Sequence, residues 1–228
     1  MSGETTARLD TFHAPDLDSS WGLTGKAAVV CSELERRLMA GEYRFGETLP
    51  TARLLIEFDI SRAPLTSALN QLRSAGYLRI IPQVGSQVII PTTQEVADFY
   101  LMFSLVERGM ARLAAQRRTL EQAAFLKETC RQMDEIDVSG TSPSEAYIDL
   151  LLMYHLKIHD AAASKYEVLR ARSYRNLATF FLRNGMPENP DKILPQANVL
   201  RMAVTEAIVS GLPDAAEKAM AEYILVSI

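Results

Sequence analysis

Ser61-Arg62-Ala63-Pro64-Leu65-Thr66-Ser67-Ala68-Leu69-Asn70-Gln71-Leu72-Arg73-Ser74-Ala75-Gly76 runs directly into Tyr77-Leu78-Arg79-Ile80-Ile81, and the change of pattern at Gly76 decides how this part of the chain folds. Leu65, Ala68, Leu69 and Leu72 recur at the three- and four-residue spacing of one helical face. Pro64 falls in the first turn, where a missing N–H costs little, and Ser61 stands where an N-cap hydroxyl belongs. Beyond Gly76, the β-branched runs 77–81 and 86–90, joined by Pro82-Gln83-Val84-Gly85, predict a two-stranded hairpin. Upstream, Ala27, Val30, Cys31, Leu34 and Leu38 mark a first helix that stops at Gly41. Leu54, Leu55 and Phe58 mark a second, turned by Asp59-Ile60. Three helices followed by a hairpin make a winged helix-turn-helix.

That unit is expected over 24–92. Residues 1–23 hold Ser, Thr, Asp, Glu and Pro with little apolar periodicity and read as a flexible arm. After Pro91-Thr92-Thr93 every apolar pattern is helical, so 93–228 is expected to be an all-α antiparallel bundle and the chain mainly α. The chain's 228 residues, 48% apolar and 23% charged, suffice to bury two modest cores. No apolar run reaches the roughly 18 residues of a membrane helix, which points to the cytoplasm and away from a membrane partner. Cys31 and Cys130 fall in helical segments and read as small buried hydrophobes rather than a disulfide or metal pair. The C-terminal half shows no nucleophile–base pairing, no phosphate loop and no metal set, so neither enzyme chemistry nor a cofactor is expected.

A net charge of −4 would disfavour nucleic acid if it were evenly spread. It is not: within 24–92, Lys26, Arg36, Arg37, Arg44, Arg53, Arg62, Arg73 and Arg79 stand against Glu33, Glu35, Glu42, Glu47, Glu57 and Asp59. Opposite the leucine stripe of the third helix lie Arg62, Thr66 and Arg73, with Ser61 at its start and Asn70 nearby, the polar face a recognition helix presents to a major groove. Arg62, at the N-terminal end, is placed for a guanine edge or a phosphate. For any one arginine the alternative is a merely solvated surface charge.

The run Gly41-Glu42-Tyr43-Arg44-Phe45-Gly46-Glu47-Thr48-Leu49-Pro50, with Arg53, Ile60-Ser61-Arg62, Ala68-Leu69, Leu72, Gly76-Tyr77-Leu78 and Gly85-Ser86-Gln87-Val88, resembles the GntR family of bacterial regulators. The resemblance implies DNA contacts at Arg53, Ser61, Arg62 and Gly85. Two departures stand out: Thr66 where the family carries a further arginine, and Val84 where a basic or polar residue precedes the wing glycine. Thr66 is therefore expected on an altered reading surface, with Gln83 supplying a minor-groove contact. Fewer cations imply weaker, less salt-sensitive binding.

The second half resembles the FCD type of effector domain through Glu107, Ala111 and Ala114, through Tyr154-His155, Ile158 and Ala161, and through Glu206-Ala207, Gly211, Ala216 and Met220. Many such domains hold a divalent metal, and the resemblance places its four ligands at Leu151, His155, Arg201 and Tyr223. Leucine and arginine cannot ligate, so no metal of that type is expected. His155 and His159, four apart, form half of a different metal site or are an ordinary pair. Arg201 is expected to bind an effector carboxylate or phosphate directly, helped by His155 and Tyr223, with His159 nearby. The alternative is that Arg201 pairs with an internal acid such as Glu107. The resemblance further implies a homodimer on near-palindromic double-stranded DNA, most simply a repressor released by a small organic acid. Its rivals are a winged-helix protein-contact module with an inert bundle, a metal-dependent sensor using His155 and His159, and a helical enzyme.

Overall fold

The computed structural model describes residues 22–136, 144–185 and 190–226. The arm expected over 1–23 thus lies, up to residue 21, outside the described residues.

The N-terminal unit is built from α1 (Gly25–Met39), α2 (Thr51–Glu57), α3 (Arg62–Ser74), β1 (Leu78–Ile81) and β2 (Gly85–Val88). The strands are antiparallel, with Leu78 opposite Val88 and Ile81 opposite Gly85, and the turn places Gln83 in the left-handed region at φ 65°. A second backbone segment borders the hairpin: Leu49 N–H donates to Ser86 O (2.9 Å) and Val88 N–H to Glu47 O (2.8 Å). Leu34, Leu38, Leu54, Leu65, Ala68, Leu72 and Val88 are fully buried between these elements, the apolar stripes read from the sequence. One local expectation fails. Ser61 occupies the N-cap position of α3, but its side chain makes no cap hydrogen bond. An N-cap oxygen accepts from the second or third helical N–H, and the third residue here is Pro64, which has none. The Ser61 hydroxyl is left exposed and uncommitted.

The rest of the chain is helical: α4 (Thr93–Arg117), α5 (Leu120–Asp134), α6 (Glu145–Ala162), α7 (Val168–Arg183), α8 (Pro190–Val209) and α9 (Pro213–Leu225). Capping fixes the starts. Thr92 with Glu95 and Thr119 with Gln122 form reciprocal capping boxes on α4 and α5, and the Ser144 hydroxyl accepts the Tyr147 N–H on α6. Pro195 lies inside α8. Helix α4 packs against α6, α7, α8 and α9, and its buried Phe103, Ala111 and Ala114 meet Tyr154, Ile158, Val204, Ile208, Ala216 and Met220 in the bundle core. Both cysteines are free and buried, and burial pushes the Cys31 thiol up to about 12, so it stays a protonated hydrophobe.

Head and bundle meet along α7. Phe45 packs edge-on against Phe180 with centroids 5.5 Å apart, and Tyr77 does the same at 5.3 Å. The Tyr77 hydroxyl donates to Glu35 Oε1 (2.9 Å), which also accepts from Asn176 Nδ2 (3.3 Å). Arg44 Nη1 donates to Arg183 O (2.7 Å) and the Phe45 N–H to Asn184 Oδ1 (3.1 Å). Tyr77→Phe removes a buried hydrogen bond to a carboxylate and is expected to lower stability by about 1.5–3 kcal/mol, read as a lower urea midpoint with an unchanged slope.

Candidate DNA interface and effector cavity

What a cation in the head can do depends on whether the fold already uses it. Arg36 pairs with Glu33 (2.8 Å) and Glu42 (3.1 Å), and Arg37 with Glu33 (2.7 Å) and with Glu57. Lys26 donates to Asp59 O (2.8 Å), Arg79 to Gln87 Oε1 (2.9 Å), and Arg44 to the bundle. That leaves Arg53 in α2, Arg62 at the first position of α3 and Arg73 in its last turn, which make no hydrogen bond or ion pair to a described residue. All three are exposed. Thr66, Asn70 and Gln83 are exposed as well, and Gly85 is partly so at φ 116°. No atom lies within 4 Å of where a Gly85 Cβ would stand. The backbone angle, rather than crowding, is what calls for glycine there.

The bundle interior carries more charge than its apolar spacing suggests. Glu107 of α4 is fully buried, and its two oxygens lie 2.6 Å from His155 Nδ1 and 2.6 Å from His159 Nε2, both on α6. Burial pushes the Glu107 carboxyl up, but the two imidazoles outweigh it and hold it below the usual carboxylate range. Burial pushes His155 down from its ordinary 6.5 to about 4, against the pull of Glu107. A neutral His155 therefore donates its Nδ1–H to an ionised Glu107, and its Nε2 is left without a partner among the described residues. His155 also stacks on Tyr223, centroids 5.7 Å apart.

Arg201 is fully buried. It donates to the Tyr147 hydroxyl (3.1 Å) and to Asn198 Oδ1 (2.8 Å), and lies 3.7 Å from Asp134. It does not pair with Glu107, as one reading of the sequence allowed, because the two histidines saturate that carboxylate. Arg175 of α7, which the sequence reading passed over, is 4% exposed, lies over the Phe103 ring at 5.2 Å and forms no ion pair with a described carboxylate. Its signal was present: Ala171, Arg175, Ala178 and Leu182 share one helical stripe, and an arginine among buried alanines is out of place.

Arg175 faces a cavity of about 40 Å³ walled by Tyr100, Phe103, Tyr147 and Tyr223, with Leu151 and apolar residues of α8. Tyr223 is the one expected effector contact in this wall. Arg201 and His155 stand behind it, touching Tyr147 and Tyr223, and His159 lies on the far side of Glu107.

The donor set does not suit the divalent metal of many FCD domains. Leu151 offers no ligand, Arg201 brings a cation to the place, and each histidine spends one nitrogen on Glu107. Among the described residues no group of three or more His, Cys, Asp or Glu is placed to hold a metal, and no helix is long and apolar enough to cross a membrane.

Comparison with known proteins agrees with both halves. Residues 26–88 match the gntR family of bacterial regulatory proteins and residues 98–225 the FCD domain. A regulator of the Nta operon from Aminobacter aminovorans is 31% identical over 122 residues, 53% of this chain and 57% of its own. The transcriptional regulator LutR of Bacillus subtilis is 24% identical over 141 residues, 55% of this chain and 63% of its own. The matched stretch thus spans under two thirds of these curated relatives. E. coli McbR/YncC shares the fold with a TM-score of 0.71 at 17% identity, covering 89% of this chain and 94% of that one. A GntR regulator from Rhodococcus sp. RHA1 gives 0.69, also at 17%, covering 88% and 94%. The fold and these matches define a class, the DNA-binding transcriptional regulators, and none of these relatives is an enzyme. The chain belongs to the gntR family, with an FCD domain as its C-terminal half.

Two measurements follow from the geometry. Arg62→Ala is expected to lower the slope of log affinity against log salt on duplex DNA by about 0.9, the value of one phosphate contact, whereas Arg36→Ala, which breaks only intramolecular pairs, should leave it unchanged. For His155 the unfolded chain binds a proton below 6.5 that the folded chain refuses until about 4, so stability falls as pH drops through that window. Glu107, with its lowered value, acts in the same direction at lower pH. Between pH 7 and 5 the loss should be roughly 2 kcal/mol by thermal or urea unfolding, and shallower in His155→Gln.

Proposed function

We propose that this regulator is a homodimeric repressor that binds near-palindromic operator DNA through Arg53, Arg62, Ser61 and the wing around Gln83 and Gly85, and that a small carboxylate bound in the bundle releases it. Thr66, exposed on α3, belongs to the same reading face. The observation that carries the effector half is Arg175: a buried guanidinium facing a cavity, with no carboxylate of a described residue paired to it, is costly unless an anion completes it. Its planar fork suits a carboxylate. The cavity has room for about three waters, which favours an acid of few heavy atoms. Tyr223 lies beside the anion. Arg201 and His155 take the supporting part, holding Tyr147 and Tyr223 in place, while His159 shares Glu107 with His155.

The same helix carries the message. Arg175 reaches the cavity and the next residue, Asn176, reaches Glu35 in the head. Ring contacts run alongside, from Phe103 to Phe99 (5.8 Å), Phe99 to Phe181 (5.0 Å), and through Phe45 and Phe180 to Tyr77. An effector shifts the head only as far as it favours one setting of α7 over another.

A thermal-shift panel of short mono- and dicarboxylates against their amides tests the effector half. At least one acid, and not its amide, should raise the melting temperature of the wild type. Arg175→Met should abolish that response while raising the melting temperature of the ligand-free protein, since about 1–3 kcal/mol of unpaired buried charge is removed. A wild type deaf to every acid, or an equal response from Arg175→Met, sinks the carboxylate reading.

A further inference from the structure

Helix α3 buries Leu65, Ala68 and Leu72, and the outward face that remains has an order of its own. At 3.6 residues per turn, Arg62 and Arg73 fall within about 20° of each other at one border of that face. Thr66 and Asn70 fall at its middle, and Ala63 and Ser67 towards the other border. All six are exposed. Charge is thus confined to one edge, and the centre is neutral. Ala63, Thr66, Ser67 and Asn70 are spaced i, i+3, i+4 and i+7, the positions from which a helix seated in a major groove reaches successive base edges.

Neither central residue serves the helix. Asparagine and threonine are poor helix formers, and both stand in the interior of α3. Ser74 Oγ donates to Asn70 O (3.1 Å), a backbone oxygen, and the Asn70 amide makes no hydrogen bond to a described residue. A local choice that weakens a helix and satisfies nothing in it marks a side chain kept for something outside the fold. In a major groove an asparagine amide matches one base edge: Nδ2 donates to adenine N7 while Oδ1 accepts from adenine N6. A threonine methyl suits the C5 methyl of thymine, and Ala63 adds a second methyl to the same face. Helix α3 carries no carboxylate to accept from cytosine N4. Thr66 and Asn70 stand about 6 Å apart along the axis, in reach of base pairs one or two steps of about 3.4 Å apart.

We propose that Asn70 and Thr66 set the sequence preference of this head, Asn70 for an adenine and Thr66 for a nearby thymine, while Arg62 and Arg73 hold the phosphate backbone along one edge. The proposal rests on the operator-binding reading above and gives it a base code. Selection of the full chain on duplexes with a random central segment should return half-sites that share two A·T pairs, adjacent or one step apart. On the selected duplex, 7-deazaadenine in place of the adenine, which removes N7, should weaken the wild type about fivefold or more. Uracil in place of the thymine, which removes only the methyl, should weaken it about threefold. Asn70→Ala should lose the response to 7-deazaadenine and Thr66→Ser the response to uracil. In both variants the slope of log affinity against log salt should stay as in the wild type, which loss of a phosphate contact would not allow. If either variant fails to fold, the analogues on the wild type decide. An analogue that leaves the wild type unmoved, or weakens the matching variant as much, overturns that residue's assignment. Selected sites without the shared A·T pairs overturn the code and leave operator binding standing, and a pool that yields no preferred sequence overturns both.

Discussion

Everything that links the two halves of this molecule depends on aromatic burial against one face of α7. Phe45 comes from the loop between α1 and α2, Tyr77 from the entrance to β1, and both settle on Phe180. An apolar contact of this kind holds without being directional, and the hydrogen bonds around it add direction: Tyr77 and Asn176 converge on Glu35, and Arg44 and the Phe45 N–H grip the end of α7. Because α7 turns its opposite stripe towards the cavity, a single rigid rod is shared by the reading head and the sensing body. The head therefore rests on the same helix that forms one wall of the cavity.

Inside the bundle, charge is arranged in two separate groups. Glu107 and its two histidines form a closed set in which the carboxylate is satisfied from both sides. Arg201 is tied to Tyr147, Asn198 and Asp134. Among the described residues, Arg175 has a ring beneath it, a cavity in front and no ion pair. Among the described residues, the histidines answer to Glu107, Arg201 answers to Tyr147, Asn198 and Asp134, and Arg175 faces the cavity. The two arginines are fixed organic cations, which change neither charge nor geometry with pH in the physiological range.

The helix-by-helix outline was legible from apolar spacing alone because α1, α3 and the bundle helices each bury one continuous stripe, and Gly and Pro punctuate them. The winged helix was legible down to its hairpin. What escaped were facts about which faces meet. Ser61 satisfies the rule for a cap, yet Pro64 three residues on removes the N–H it would accept from. Glu107 could be seen to lie on a buried face, but only the packing of α4 on α6 shows that both histidines reach it. Arg201 was expected to face the cavity and is buried, yet it does not line it, while Arg175, which does, was passed over, since nothing local in α7 says which of its neighbours would be acids.

The wall of the cavity is not equally firm all round. Tyr100 and Phe103 stand on α4 and Tyr147 on α6, helices whose first turns are capped. Ile193, Leu194 and Ala197 stand on α8, where Pro195 withholds one rung of the backbone ladder. Loosening those turns gives up one hydrogen bond fewer than loosening any other side. The wall facing Arg175 is therefore softest, by one backbone hydrogen bond, along the turns of α8 around Pro195.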